Sequence, residues 1–211
     1  MSDRERVAQA APTSSLEDFP THRVETTTDL FRAHTGAFGP WWFGNEGGGR
    51  FDLPSPRGTC YTALDPGSAV RERVGPVLGG AVAVPESLLE DVVVSRLHVP
   101  ADRDVADVQS TAAGDFGVTR ELETMVPYAV PQLWARALDR AGHGGVRYGP
   151  RFTPGECSAV ALFDEEGAKP WPPDPQAIPA ASAPGAPTVW TTPRRGDLTV
   201  VRPPRTRVPR S

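Results

Sequence analysis

Residues 31–72 read FRAHTGAFGPWWFGNEGGGRFDLPSPRGTCYTALDPGSAVRE, and this stretch decides the fold and the candidate site. It carries four polar side chains in order, Arg32, Arg50, Tyr61 and Glu72, of which the last three are separated by equal steps of eleven residues. A guanidinium fork matches a diphosphate, and a carboxylate accepts hydrogen bonds from ribose hydroxyls. With an aromatic ring to stack on a flat base, the set indicates a dinucleotide such as NAD as the ligand.

The local pattern around these residues predicts how they are held. The predicted elements are a strand at 30–34, a long Gly/Pro/Trp-rich loop at 35–56 and a strand at 58–64. Asp65 and Pro66 then form a helix start, because aspartate caps the first backbone N–H groups and proline suits the first helical position. The helix is expected to carry Glu72 and to end near Gly79-Gly80.

The rest of the chain predicts an α+β domain with less ordered ends. Further elements are a short helix from Pro85, a strand at 92–99, a helix opening at Val130-Pro131, and strands at 146–149 and 158–163. Strands and helices do not alternate as in a βαβ array, which favours a mixed or antiparallel sheet with flanking helices. Composition divides the chain into a loose N-terminal arm at 1–24, a folded domain at 25–167 and a Pro/Arg-rich extended or disordered tail at 168–211, with one strand-like piece at 197–201.

Bulk composition argues against several classes of protein. A net charge of −4 argues against a general nucleic-acid binder. The chain has no apolar run long enough to span a bilayer and no apolar signal core, so a cytoplasmic protein is expected. The four histidines show no ligand spacing, so no metal is expected. The two cysteines, Cys60 and Cys157, lie in apolar strand-like segments and are expected to be buried free thiols.

Each candidate residue also has an ordinary structural explanation. Arg32 and Arg50 could be surface or salt-bridged arginines, Tyr61 a core residue, and Glu72 a solvent-facing helical carboxylate. The chain lacks the Gly-x-Ser-x-Gly, His-Glu-x-x-His and phosphate-loop motifs that would indicate other chemistries. Taken together, in one segment with a Gly/Trp-rich loop, the four residues favour a binding site.

At these residues the chain resembles the RES domain family, which is named for an arginine, a glutamate and a serine. The family comprises toxins of bacterial toxin–antitoxin pairs, usually beside an Xre-type antitoxin. The resemblance is carried by Leu-Phe-Arg32, Gly-Arg50-Phe-Asp, Gly-Thr-Cys-Tyr61-Thr-Ala, Ala-Val-Arg-Glu72, Gly145-Val-Arg-Tyr148 and Ala159-Val-Ala-Leu-Phe163. It implies an ADP-ribosyltransferase-like fold and the consumption of NAD as substrate, by hydrolysis, phosphorolysis or transfer of ADP-ribose.

The resemblance also implies a role for each residue. Arg32 and Arg50 would hold the diphosphate or ribose, and Tyr61 would stack against the nicotinamide end. Glu72 would bind the nicotinamide ribose and stabilise positive charge as the glycosidic bond breaks.

One position departs from the family pattern. The serine of the family is expected just after Tyr148, where this chain has Pro150, and proline donates no hydrogen bond. Arg151 or Ser158 would have to take over its role.

Three functions therefore remain open. The leading hypothesis is a RES-type toxin that cleaves the nicotinamide–ribose bond, depletes cellular NAD and pairs with an Xre-type antitoxin. A protein ADP-ribosyltransferase is the second, and a catalytically silent module that binds a nucleotide or a partner protein is the third.

Overall fold

The computed structural model describes residues 8–36, 39–78 and 83–191, and it contains twelve strands and two α-helices in these ranges. The helices are α1 (Pro66–Leu78) and α2 (Ala129–Arg140), and short 3₁₀ turns lie at Glu86–Leu88, Thr111–Phe116, Arg120–Glu123 and Ala180–Ser182. The strands are β1 (Thr21–Val24), β2 (Leu30–Thr35), β3 (Trp42–Phe43), β4 (Arg57–Ala63), β5 (Ala83–Pro85), β6 (Val92–Leu97), β7 (Arg103–Asp107), β8 (Gly145–Tyr148), β9 (Ala159–Glu165), β10 (Gly167–Ala168), β11 (Ile178–Pro179) and β12 (Thr188–Trp190).

Eight strands form one mixed sheet in the order β1-β7-β8-β9-β4-β2-β6-β11. Only β7 and β8 run parallel; the other neighbours are antiparallel. In the centre, β4 pairs with β9 from Arg57↔Glu165 to Ala63↔Ala159. The predicted α+β class with a mixed sheet and flanking helices is confirmed.

The two helices cover different parts of the sheet. Helix α2 buries Trp134 and Leu138 in one apolar cluster with residues of β8 and β9. Helix α1 buries Val70 and Val74 in a second cluster with residues of β6. The buried side chains of α1 face the sheet, and the helix contacts β2 and β4. These are the strands that carry the predicted site residues Arg32 and Tyr61.

The start of α1 follows the sequence prediction. The Ser68 backbone N–H donates to Asp65 Oδ1 at 2.7 Å, and Pro66 occupies the first helical position. This is the N-cap arrangement that Asp-Pro predicts. The predicted end at Gly79-Gly80 lies outside the described residues.

The expected loose N-terminal arm is wrong for residues 8–24. Strand β1 pairs with β7 from Thr21↔Ala106 onward, and Leu16 and Phe19 are buried. The Trp134 indole also donates to the Ala10 carbonyl at 2.8 Å. A few apolar residues without periodicity are enough to order this segment, because β7 at the edge of the sheet supplies hydrogen-bond partners for its backbone.

The expected loose C-terminal tail is also wrong for residues 168–191. Trp171 packs against Trp41, with ring centroids 4.9 Å apart, and the Arg103 guanidinium lies 4.8 Å from its ring. Strand β11 extends the main sheet beside β6, and β12 pairs with β5. Proline is compatible with such short edge strands. The predicted strand at 197–201 and the arginine-rich end lie outside the described residues.

The two cysteines differ from each other. Cys60 is fully buried on β4, as expected, and burial raises the pKa of its thiol. Cys157 is only half-buried and lies in the loop before β9, so the expectation of a buried strand position was wrong for it. Within the described ranges, no helix has the length and apolar character needed to cross a bilayer.

Candidate active site

The structure brings Arg32, Arg50, Tyr61 and Glu72 to the lining of one cavity of about 470 Å³. Arg32 and Tyr61 come from neighbouring strands β2 and β4, and Glu72 comes from α1, which crosses them. Arg50 comes from the loop between β3 and β4. The volume lies in the range of sites that bind small molecules and cofactors.

Glu72 is the carboxylate inside this cavity, on a stripe of α1 that faces it. The stripe is formed by Ala69, Glu72, Arg73 and Pro76, which recur at helical spacing. The Phe152 backbone N–H donates to Glu72 Oε1 at 2.6 Å. Burial raises the pKa of Glu72. Three neighbouring groups lower it: the backbone N–H groups of Phe152 and Arg151, and the Arg50 guanidinium.

Arg50 is a deep cation, only 7% exposed. Its Nη1 donates to the Met125 carbonyl at 3.2 Å, and its guanidinium carbon lies 5.1 Å from the centre of the Tyr128 ring. Burial lowers the pKa of Arg50, and the nearby Glu72 carboxylate raises it. The site therefore holds a positive and a negative group together in a poorly solvated space, where charge interactions are stronger than in water.

Arg32 holds the loop that covers β2 and β4. Its Nη1 donates to the carbonyls of Pro40 and Trp42 at 2.6 and 2.9 Å and lies 2.7 Å from Cys60 Sγ. One end of its guanidinium is thus occupied by the protein. The buried thiol at Cys60 is part of this contact and lies next to the cavity residue Tyr61 in sequence.

Tyr61 is held in place through its hydroxyl. The hydroxyl donates to Asp52 Oδ1 and accepts from the Phe51 N–H, both at 2.8 Å. Asp52 Oδ2 in turn accepts from the Gly49 N–H at 2.8 Å. Burial raises the pKa of the Tyr61 hydroxyl well above its usual value, so the group stays neutral. Tyr61 also lines the cavity. A Cβ at Gly49 would overlap both Asp52 and Tyr61, which explains the glycine there.

The position of the missing serine lies beside this cavity. Pro150 and Arg151 line a separate cavity of about 250 Å³, and Arg151 reaches the main site through its backbone next to Glu72. The Ser158 hydroxyl donates to Gln109 Oε1 at 2.6 Å and accepts from Arg147 at 3.0 Å. Ser158 does not line the main cavity.

Several cavity residues escaped the sequence analysis. Tyr128 and Phe152 lie in loops with no periodic pattern that would indicate them. Asp52 was visible within Gly-Arg-Phe-Asp, and Arg73 could have been found from its place four residues after Ala69 on the helix. Across the described ranges, no group of three His, Cys, Asp or Glu side chains is placed to hold a metal ion.

The fold and the site together define an α+β protein with one cavity that arginine, tyrosine and glutamate side chains line. A sequence model of the RES domain matches residues 29–181. The chain therefore belongs to the RES domain family. No relative among the curated proteins matches it.

A solved structure shares the fold. It is a chain in the crystal structure of the M. tuberculosis MbcT–MbcA toxin–antitoxin complex, which superposes with a TM-score of 0.57 at 17% sequence identity. The match covers 74% of this chain and 85% of that chain. The expected family fold is confirmed.

Proposed function

We propose that the chain is a RES-type toxin that cleaves the bond between nicotinamide and ribose in NAD. The observation that carries this proposal is the convergence of Glu72, Arg50, Arg32 and Tyr61 on one cavity, from separate elements of the fold. The family, and the likeness in fold to a chain of a toxin–antitoxin complex, support the assignment to a toxin with an antitoxin partner.

The chemistry requires a carboxylate at the reacting ribose. As the bond between C1′ and the pyridinium nitrogen breaks, its electron pair returns to the ring and nicotinamide leaves as a neutral molecule. The ribose left behind resembles an oxocarbenium ion, which a fixed carboxylate stabilises. Glu72 is held for this role by the Phe152 N–H at 2.6 Å. An oxygen of water or phosphate then bonds to C1′, and the attacking water or hydrogen phosphate loses a proton to the solvent.

The other side chains serve binding. The Tyr61 ring, with its hydroxyl occupied by Asp52, offers a flat surface for nicotinamide. Arg50, deep beside Glu72, stabilises the ionised carboxylate and contacts the ribose side of the ligand. Neither role needs a strong general acid, because the leaving group departs without a proton.

The test is nicotinamide release from NAD by the purified protein, with and without phosphate. Wild type is expected to release nicotinamide, and Glu72→Gln is expected to release almost none. Glu90→Gln, which changes an exposed glutamate outside the cavity, is the matched control and should behave as wild type. Faster release with phosphate would identify phosphate as the acceptor.

Two outcomes favour the other functions. Release only in the presence of a protein target, with label transferred to that target, would indicate a protein ADP-ribosyltransferase. Folded wild type that binds NAD but releases no nicotinamide under any condition would indicate a silent binding module, which the proline at position 150 also motivates.

A further inference from the structure

Arg73 is a charged residue of the cavity to which the function above assigns no role. It lies directly after Glu72 on α1, on the stripe that faces the cavity, and it is exposed at the cavity rim. In the part of the chain that the structure describes, neither an ion pair nor a hydrogen bond involves its guanidinium. An arginine in a cavity wall that has no partner among these described residues is available to an anionic ligand.

The other two arginines of the cavity each bind the protein through Nη1, and the remaining charged groups have the wrong sign. Arg32 is bound to the carbonyls of Pro40 and Trp42, and Arg50 is buried against Met125. The remaining groups are carboxylates: Asp52, which accepts from Gly49 and Tyr61, Glu72 itself, and the exposed Glu46. Arg73 is thus the cation best placed to meet an anion that enters from solvent.

We propose that Arg73 binds the diphosphate of the dinucleotide at the cavity mouth, while Arg32 and Arg50 order the protein around the nicotinamide ribose. The inference rests on the proposed function for the choice of ligand. The diphosphate is joined to C5′ of the nicotinamide ribose, so it must lie close to the residue that binds that ribose. Arg73 follows Glu72 on α1, lines the same cavity and is exposed, which suits a contact with the diphosphate at the cavity mouth.

This assignment makes Arg73 a specificity residue for phosphorylated ligands. A guanidinium–phosphate contact is charge-assisted and geometrically selective, and at an exposed rim it weakens with salt. A ligand that lacks phosphates gains nothing from it. Arg73→Ala should therefore separate ADP-ribose from nicotinamide riboside in binding.

The test is isothermal titration calorimetry of both ligands with wild type, Arg73→Ala and Arg71→Ala. Arg71 lies on the same helix but outside the cavity lining, which makes it the matched control. We expect Arg73→Ala to weaken ADP-ribose binding about tenfold and to reduce its salt dependence. Nicotinamide riboside binding should not change, and Arg71→Ala should match wild type with both ligands.

The possible results separate this inference from the cleavage function. Equal weakening of both ligands, no weakening at all, or no ADP-ribose binding by wild type would overturn the role of Arg73. Selective loss of ADP-ribose binding in a protein that releases no nicotinamide would support Arg73 and refute cleavage. If the protein releases nicotinamide but Arg73→Ala leaves its ADP-ribose affinity unchanged, the result would support cleavage and refute the role of Arg73.

Discussion

Gly75 on α1 lets the loop that holds Glu72 dock onto the helix. A Cβ at this position would overlap the Phe152 ring at Cγ and Cδ2. Cγ is the ring atom nearest the backbone, so the ring cannot escape by swinging its far end. Gly75→Ala should therefore displace residue 152, whose N–H binds Glu72 at 2.6 Å.

Two opposing effects decide the magnitude. Alanine is a better helix former than glycine by about 1 kcal/mol in a helix interior. Compressing the Phe152 ring costs about 1–3 kcal/mol, and moving the loop away instead gives up a hydrogen bond to a charged group worth about 1.5–3 kcal/mol. At the middle of either range the cost exceeds the gain in helix propensity by about 1 kcal/mol. We expect Gly75→Ala to lower the free energy of unfolding by about 1 kcal/mol, or Tm by about 2–4 °C.

The assay combines thermal unfolding with nicotinamide release below Tm. Gly114→Ala is the control, because a Cβ at Gly114 meets no atom within 4 Å and the backbone there has an ordinary φ. We expect the control to keep wild-type stability and activity, and Gly75→Ala to lose both. A Gly75→Ala protein that is as stable as wild type and equally active would refute the coupling of Gly75, Phe152 and Glu72.

Three further predictions follow from the site and the packing. Because burial raises the pKa of Glu72 and cleavage needs its ionised form, nicotinamide release should fall, as pH is lowered, at a pH above about 4.3, the usual value for glutamate; an acid limb below that pH would contradict this. Because burial raises the pKa of Glu72 in the folded protein, its ionised form opposes folding at pH 7. Glu72→Gln should therefore raise Tm at pH 7, and calorimetry should show that this gain disappears at a pH below the usual pKa of glutamate, where the carboxyl is protonated in both states. Trp171→Ala should lower the free energy of unfolding by about 2–3 kcal/mol in chemical denaturation, because the ring packs against Trp41 and Phe43; wild-type stability would show that residues 168–191 add little.

The sequence predicted the elements of the site because local chemistry specifies them. Asp65-Pro66 starts α1 through a side-chain cap, and the predicted strands at 30–34 and 58–64 correspond to β2 and β4, which carry Arg32 and Tyr61. The shared cavity of Arg32, Arg50, Tyr61 and Glu72 was expected from their chemistry and from the family resemblance. Their individual roles stay predictions until binding and cleavage are measured.

The parts that the sequence did not reveal depend on contacts between distant residues. Nothing near Trp171 indicates that it would meet Trp41, which lies 130 positions earlier. In the same way, Arg50 meets Met125 and Tyr128 only after the chain has folded. Residues 168–191 resemble a disordered tail in composition because they are rich in proline. Composition does not reveal that part of this segment pairs with β6 at the edge of the sheet.

Side chains from three other elements hold the cavity wall through hydrogen bonds. Arg32 binds the loop between β2 and β4 at the Pro40 and Trp42 carbonyls, and the Tyr61 hydroxyl binds it at the Phe51 N–H. From α2, the Gln132 amide donates to the carbonyls of Gly47 and Gly49 at 3.1 and 2.9 Å. A glycine-rich loop that had to be ordered by the ligand would subtract that entropy from the binding free energy. Because three separate elements hold this loop, the proposed cleavage would have the binding free energy of NAD available at the nicotinamide ribose.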